Sequence, residues 1–172
     1  MMIETKHNGD DPMVSIARRP VFDNRGHLWG YELFCVGGTE AHGDLSGQSD
    51  TAISVSSSAY MCLQKIQQGG KKIIVDFSEK SVLDQLPYVL PPLSSAIKVG
   101  EDIALQSASM EVLDRLKLDG YPIAIRNFTG NPEFESVYRM ASILAIETRG
   151  EEGKGLQATI AQAGQYGGML LA

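Results

Sequence analysis

From residue 71 onward the chain alternates between two kinds of segment, and this alternation restricts the fold more than any other feature. Short continuous apolar runs, KKIIVDF (71–77), AIKVG (96–100), YPIAIRNF (121–128), ILAIET (143–148) and GGMLLA (167–172), are separated by amphipathic stretches of roughly helical spacing. A strand that is apolar on successive residues presents hydrophobic groups on both faces, so both faces must be covered. Such strands separated by helices form a parallel sheet with right-handed crossovers. The spacing predicts a short helix within 78–90, ended by Pro87 or the Pro91–Pro92 pair. It predicts a long helix over about 103–119, with Met110, Leu113, Leu116 and Leu118 on its apolar face and Gly120 at its end. Further helices are expected over 132–141, opening with Pro132 in the first turn, and over 156–166.

The first seventy residues read differently. MVSIARRPVF and HLWGYELFCV flank an Asp-Asn-Arg-Gly turn and form a predicted β-hairpin. Residues 37–48 are a Gly-rich polar loop, and Ser49 is placed to cap a helix reaching about Gln68. Residues 1–12 are polar and are expected to be a flexible N-terminal segment ahead of one domain over 13–172. A doubly wound sheet and a closed barrel both satisfy this pattern, and periodicity does not choose between them. The length of 172 residues is ample for one core, yet a complete (β/α)8 barrel usually needs ~250.

Several function classes are excluded at this level. The formal net charge of -6 opposes electrostatic attraction to nucleic acid. No apolar run approaches the ~20 residues that span a bilayer, and the N-terminus lacks a basic stretch followed by an apolar one. A cytoplasmic location is expected. Cys35 and Cys62 are too few for a disulfide scaffold, and His7, His27 and His42 fall in loop-like segments with no metal-ligand spacing. No phosphate loop, dinucleotide fingerprint or nucleophile elbow is present.

Function in parallel α/β folds collects at the C-terminal ends of strands. Here those ends carry Glu32 (GYELF), Asp76 (IIVDFS), Lys98 (AIKVGED), Arg126 and Asn127 (AIRNFTG) and Glu147 (AIETRG). Any one of them alone marks where a strand emerges into water. Their recurrence at equivalent ends points to a shared central cluster.

The string IARRPVFDNRGHLWGYELF resembles the opening of EAL domains, in the variant found in bacterial proteins that pair an EAL with an HDOD domain. The resemblance continues in order through IIVDFS, IKVGED, GYPIAIRNF and ASILAIETR to GGMLLA, and so spans about residues 13–172. It implies a TIM-barrel-like (β/α) fold, and for active members a Mg²⁺- or Mn²⁺-dependent phosphodiesterase that linearises cyclic di-GMP. On the same alignment the domain is expected to be truncated, with the last helix and the final βα unit missing.

Carried over residue by residue, the family's catalytic set is mostly absent. Glu32 matches the metal-binding Glu of the motif, while Val36 stands where an Arg for the substrate phosphate is expected. Asp76 occupies the position of a metal-ligating Asn, and Lys98 replaces the next ligand, a Glu. Glu101 matches a Glu that supports a neighbouring loop. Arg126 and Asn127 replace a pair of Asp residues, Ala145 replaces the Lys that positions the attacking water, and Glu147 replaces an Asp.

Two acids thus remain and two acid positions have become cations. Ion pairs among Glu32, Asp76, Lys98 and Arg126 are expected to replace the metal centre, since both cations would repel a divalent ion. The resulting expectation is a catalytically inactive EAL-like signalling module with no cofactor and no metal. It would act through a protein partner or an attached HDOD-type domain, with a homodimer also considered. A cyclic di-GMP receptor that does not hydrolyse its ligand is the alternative, and a metal-dependent phosphodiesterase ranks behind it.

Overall fold

In a computed structural model, residues 15–23, 25–36, 69–148 and 153–171 are described. The expected segment 1–12, the loop 37–48 and the helix from Ser49 to Gln68 lie outside them. The hairpin pairs β1 (Ser15–Phe22) antiparallel with β2 (Leu28–Val36), with a register shift between Val21 and Phe22. Its turn closes on the Asp23 carboxylate, which accepts from the backbone N–H of Arg25 at 2.9 Å and of His27 at 2.8 Å.

Five parallel strands follow: β3 (Lys72–Asp76), β4 (Ser95–Gly100), β5 (Ile123–Arg126), β6 (Ile143–Ala145) and β7 (Met169–Leu171). The sheet order is β1-β2-β3-β4-β5-β6-β7, and only the β1–β2 pairing is antiparallel. This order decides between the two architectures. A doubly wound sheet reverses its winding at a switch point, whereas here each crossover advances by one strand in the same direction. Right-handed crossovers that never reverse put every helix on one side of the sheet.

The burial pattern follows from that winding. On one face, Ile73, Val75, Ile97, Val99, Ile123, Ile125 and Leu144 pack with the helix residues Val82, Leu113, Leu116 and Val137. On the other, Val21, Ile74, Ala96, Ala124 and Ile143 form a second cluster, joined by Trp29, Met169 and Leu171. The cluster thus runs across the whole sheet, from Val21 on β1 to Met169 on β7. Each large aliphatic group buried this way contributes roughly 1.5–3 kcal/mol. Where β2 and β3 run side by side, a Cβ on Gly30 would collide with the carbonyl of Lys72, so glycine permits the close approach.

Two of the helices are shorter than their spacing predicts. Helix α1 (Glu79–Leu83) starts at Ser78, whose hydroxyl accepts from Ser81 N–H, and a 3-10 turn at Leu86–Val89 carries Pro87. The helix expected over 103–119 is two pieces: a 3-10 turn at Asp102–Leu105, then α2 (Ser107–Leu118), with Gln106 extended between them. In one straight helix, Ile103 and Leu113 would face about 80° apart; the break lets both enter the same core. Leu118 is not on the apolar face. It lies two residues beyond buried Leu116, hence roughly opposite it, and is 87% exposed. The segment 132–141 is likewise a 3-10 turn, Pro132–Phe134, followed by α3 (Glu135–Met140). Helix α4 (Lys154–Gly164) begins and ends two residues before its expected limits, and β6 stops at Ala145.

Candidate functional site

Alternation along the strands dictates which side chains can meet on the concave face. Glu32 is in register with Ile74, Asp76 with Lys98, Lys98 with Ala124, and Gly100 with Arg126. Glu32, Asp76, Lys98 and Arg126 therefore all point to the side of the Ile74–Ala96–Ala124 cluster. They do not pair with direct neighbours. Lys98 Nζ donates to Glu32 Oε1 at 2.6 Å, reaching from β4 across β3 to β2. Arg126 Nη1 donates to Asp76 Oδ2 at 2.9 Å, reaching from β5 across β4 to β3.

Both pairs make the same step, two strands across and one pleat down. That step follows from the stagger of barrel strands, in which alternate strands contribute to each interior layer. Even strands supply Glu32 and Lys98, and the same step from Lys98 leads to Ala145 on β6. Odd strands supply Asp76 and Arg126. Gly100 lies under the second pair: a Cβ there would stand 3.2 Å from Arg126 Nη2.

The two pairs differ in environment. Lys98 and Glu32 are 12% and 13% exposed, whereas Arg126 and Asp76 are each about a third exposed (33% and 32%). At an effective dielectric of ~20, unit charges ~3 Å apart attract by roughly 5 kcal/mol, much of it offset by desolvation. At Asp76 the balance is visible: burial pushes its carboxyl above the usual range, against the opposing pull of Arg126 and Lys98. Arg19, which faces Glu32 across the hairpin, adds a third cation with Nη1 3.8 Å from Glu32 Oε2. On the same hairpin the Arg18 guanidinium carbon lies 4.6 Å from the Tyr31 ring centroid, and the hairpin register sets Arg19 against Glu32.

Glu101 belongs to a separate network. It is 8% exposed and accepts from Thr129 N–H at 2.6 Å, Thr129 Oγ1 at 2.9 Å and Tyr138 Oη at 2.7 Å. These bonds hold the segment after β5 against the end of β4. Burial, reinforced by the bond to Glu101, pushes the Tyr138 phenol up to about 12. Thr129 and Tyr138 were not foreseen, since neither ends a strand. Asn127 is exposed, with a left-handed φ of 54° that Asn tolerates better than most residues. Glu147 is exposed beyond β6, and Ala145 is half-buried. Val36 ends β2 opposite Ser15, and its side chain lies outside the described residues.

No family model matches the chain. It is 28% identical over 130 residues to a Bacillus subtilis (strain 168) protein described as "Uncharacterized protein YuxH". That match covers 72% of the chain but only 31% of the relative, so the chain spans about a third of that protein's length. Among solved structures, the EAL domain of Mycobacterium smegmatis DcpA superposes with a TM-score of 0.67 at 17% identity, over 91% of this chain and 79% of that one. A Vibrio cholerae LapD fragment bound to c-di-GMP gives 0.63 at 9% identity, over 91% and 46%. The FimX EAL domain from Pseudomonas aeruginosa, also bound to c-di-GMP, gives 0.51 at 14% identity, over 92% and 88%. The chain therefore has the fold of EAL domains.

The divalent metals that the sequence resemblance implies do not fit the residues present. A Mg²⁺ or Mn²⁺ site needs several oxygen donors turned to one point. Here both acids of the cluster face a cation of the chain itself, and a divalent ion would stand against Lys98 and Arg126. Among the described residues, no three His, Cys, Asp or Glu side chains gather where they could hold a metal ion.

Proposed function

We propose that this chain is a catalytically inactive EAL-like module of bacterial signal transduction, acting through contacts with a protein partner or an attached HDOD-type domain. The observation that carries this reading is the pairing of Lys98 with Glu32 and of Arg126 with Asp76 on the concave face of the sheet. Hydrolysis of a phosphodiester at a two-metal site depends on carboxylates free to hold cations that activate water. In this chain those carboxylates are engaged internally, and the position matching the water-positioning Lys is Ala145.

The second reading is a receptor that binds cyclic di-GMP without cleaving it. It is favoured by the two structural neighbours whose solved forms hold c-di-GMP. Against it stands Val36, which supplies no guanidinium to clamp a phosphate. Calorimetry with cyclic di-GMP, with and without Mg²⁺, separates the two readings. No heat is expected under either condition, and saturable binding without turnover would move the assignment to the receptor. Linearisation of the nucleotide at a rate abolished by Glu32→Ala would overturn both.

A further inference from the structure

We propose that Arg126 is a two-position side chain, exchanged between Asp76 and Asp102 across the empty side-chain position of Gly100, and that the exchange uncovers Asp76 on the concave face. The inference concerns a movement within the charged cluster and does not depend on whether the chain cleaves or binds a nucleotide.

Asp102 is a further charged group of this face. It follows the end of β4 and opens the 3-10 turn Asp102–Leu105, so no strand pattern marks it. Its carboxylate folds back over the strand end: a Cβ on Gly100 would overlap Asp102 Oδ1 and stand 3.2 Å from Arg126 Nη2. Gly100 is in register with Arg126 and shares a strand face with Ala96 and Lys98, so a side chain there would project into the concavity. The anion and the guanidinium thus approach one point on that face from two sides, with the width of a methyl group between them.

The guanidinium is held at one corner. Nη1 donates to Asp76 Oδ2 at 2.9 Å, and among the described residues this is the one side-chain bond of Arg126. A guanidinium carries five N–H donors in a planar fork, so the edge with Nη2 keeps donors to spare where it faces Asp102. Asp102 is exposed, and its carboxylate has no ion pair or hydrogen bond among the described residues.

The backbones that carry the two side chains are fixed. Glu101, before Asp102, is bonded to Thr129 and Tyr138, and Ile103, after it, is buried in the core. Arg126 is paired through β5. Exchange therefore needs only side-chain rotation, on a face where Arg126 is a third exposed. Neither position strands a buried charge, which would be strongly destabilising. With Arg126 on Asp76, Asp102 stands in water. With Arg126 on Asp102, Asp76 keeps Lys98, its neighbour in register, and opens to a cationic group from outside. The contact with Asp76 is the shorter, but burial opposes the charge of that acid, and this holds the two positions close in free energy.

Double-mutant cycles on the 172-residue chain, read from urea unfolding, test the proposal. In the wild-type background the coupling between Arg126→Gln and Asp102→Asn should change the unfolding constant by less than about twofold. With Asp76→Ala the guanidinium passes to Asp102, and the coupling should rise to about three- to fivefold, the upper part of the range for exposed pairs. Asp76→Asn, the milder variant should the truncation fail to fold, is expected to move the coupling in the same direction. Gly100→Ala, whose Cβ meets the ends of two flexible side chains, should return the coupling to less than about twofold in either variant. A coupling that is equal with and without the Asp76 charge, or that survives Gly100→Ala, would overturn the exchange.

Discussion

Asp76 is the residue at which the electrostatics of the concave face can be measured. Burial outweighs its two cationic neighbours and raises its carboxyl above the usual range. A raised folded-state value means that protonation favours the native state. The associated stability is present below the unfolded value of about 4 and is lost as pH rises through the folded value. Asp76→Asn keeps an acceptor for Arg126 but cannot ionise. The stability of the wild type relative to Asp76→Asn should therefore fall as pH rises above about 4, by under about 1 kcal/mol because the pair is a third open to water. Urea midpoints of both proteins at several pH values check this, and a difference that rises with pH would contradict it. That Glu32, Asp76, Lys98 and Arg126 share one face follows from a strand period of two and the strand register; Asp76 and Arg126 end their strands as expected, whereas Glu32 and Lys98 lie inside β2 and β4. Which cation takes which acid was not legible, because it depends on the stagger between strands.

At the scale of elements, the segment between β5 and α3 is held from outside itself. Glu101, at the end of β4, gathers a backbone N–H and a hydroxyl from Thr129 and the phenol of Tyr138 on α3. Tyr138→Phe deletes one bond to a buried carboxylate and should destabilise the chain by about 2 kcal/mol in chemical denaturation. Burial and Glu101 raise the phenol to about 12, so its contribution is complete below the unfolded value of about 10 and is lost as pH rises through about 12. The gap between wild type and Tyr138→Phe should narrow over that interval; a constant gap would show that the phenol does not titrate with the fold. The alternation of strands and helices could be read from the apolar runs, whereas the order of the strands in the sheet could not. Nor could the break at Gln106, because it arises where Ile103 and Leu113 must enter one core.

Over the described residues the molecule is a curled sheet with helices on its convex side and two ion pairs in its concavity. If those pairs replace a metal centre, its stability should be independent of divalent cations. A cation present at 100 times its Kd would add about 2.7 kcal/mol, which for a domain of this size raises Tm by roughly 5–10 °C. Melting in millimolar Mg²⁺ or Mn²⁺ and in chelator is expected to give the same Tm within about 1 °C. A rise of several degrees that disappears in Glu32→Ala would identify a metal site.

The sequence by itself determined the parallel β/α alternation, the hairpin ahead of it and the placing of the four charges within the strands, with Asp76 and Arg126 at strand ends and Glu32 and Lys98 inside β2 and β4, because each depends only on local period and turn chemistry. Tertiary structure alone decided three things. Winding in one direction chose a barrel-like sheet over a doubly wound one, since helix-covered strands look the same from sequence in either. The stagger of that sheet matched Lys98 to Glu32 and Arg126 to Asp76, two strands apart rather than side by side. The packing of α2 left Leu118 in water, because two residues on a helix is half a turn and Leu116 had already taken the buried side.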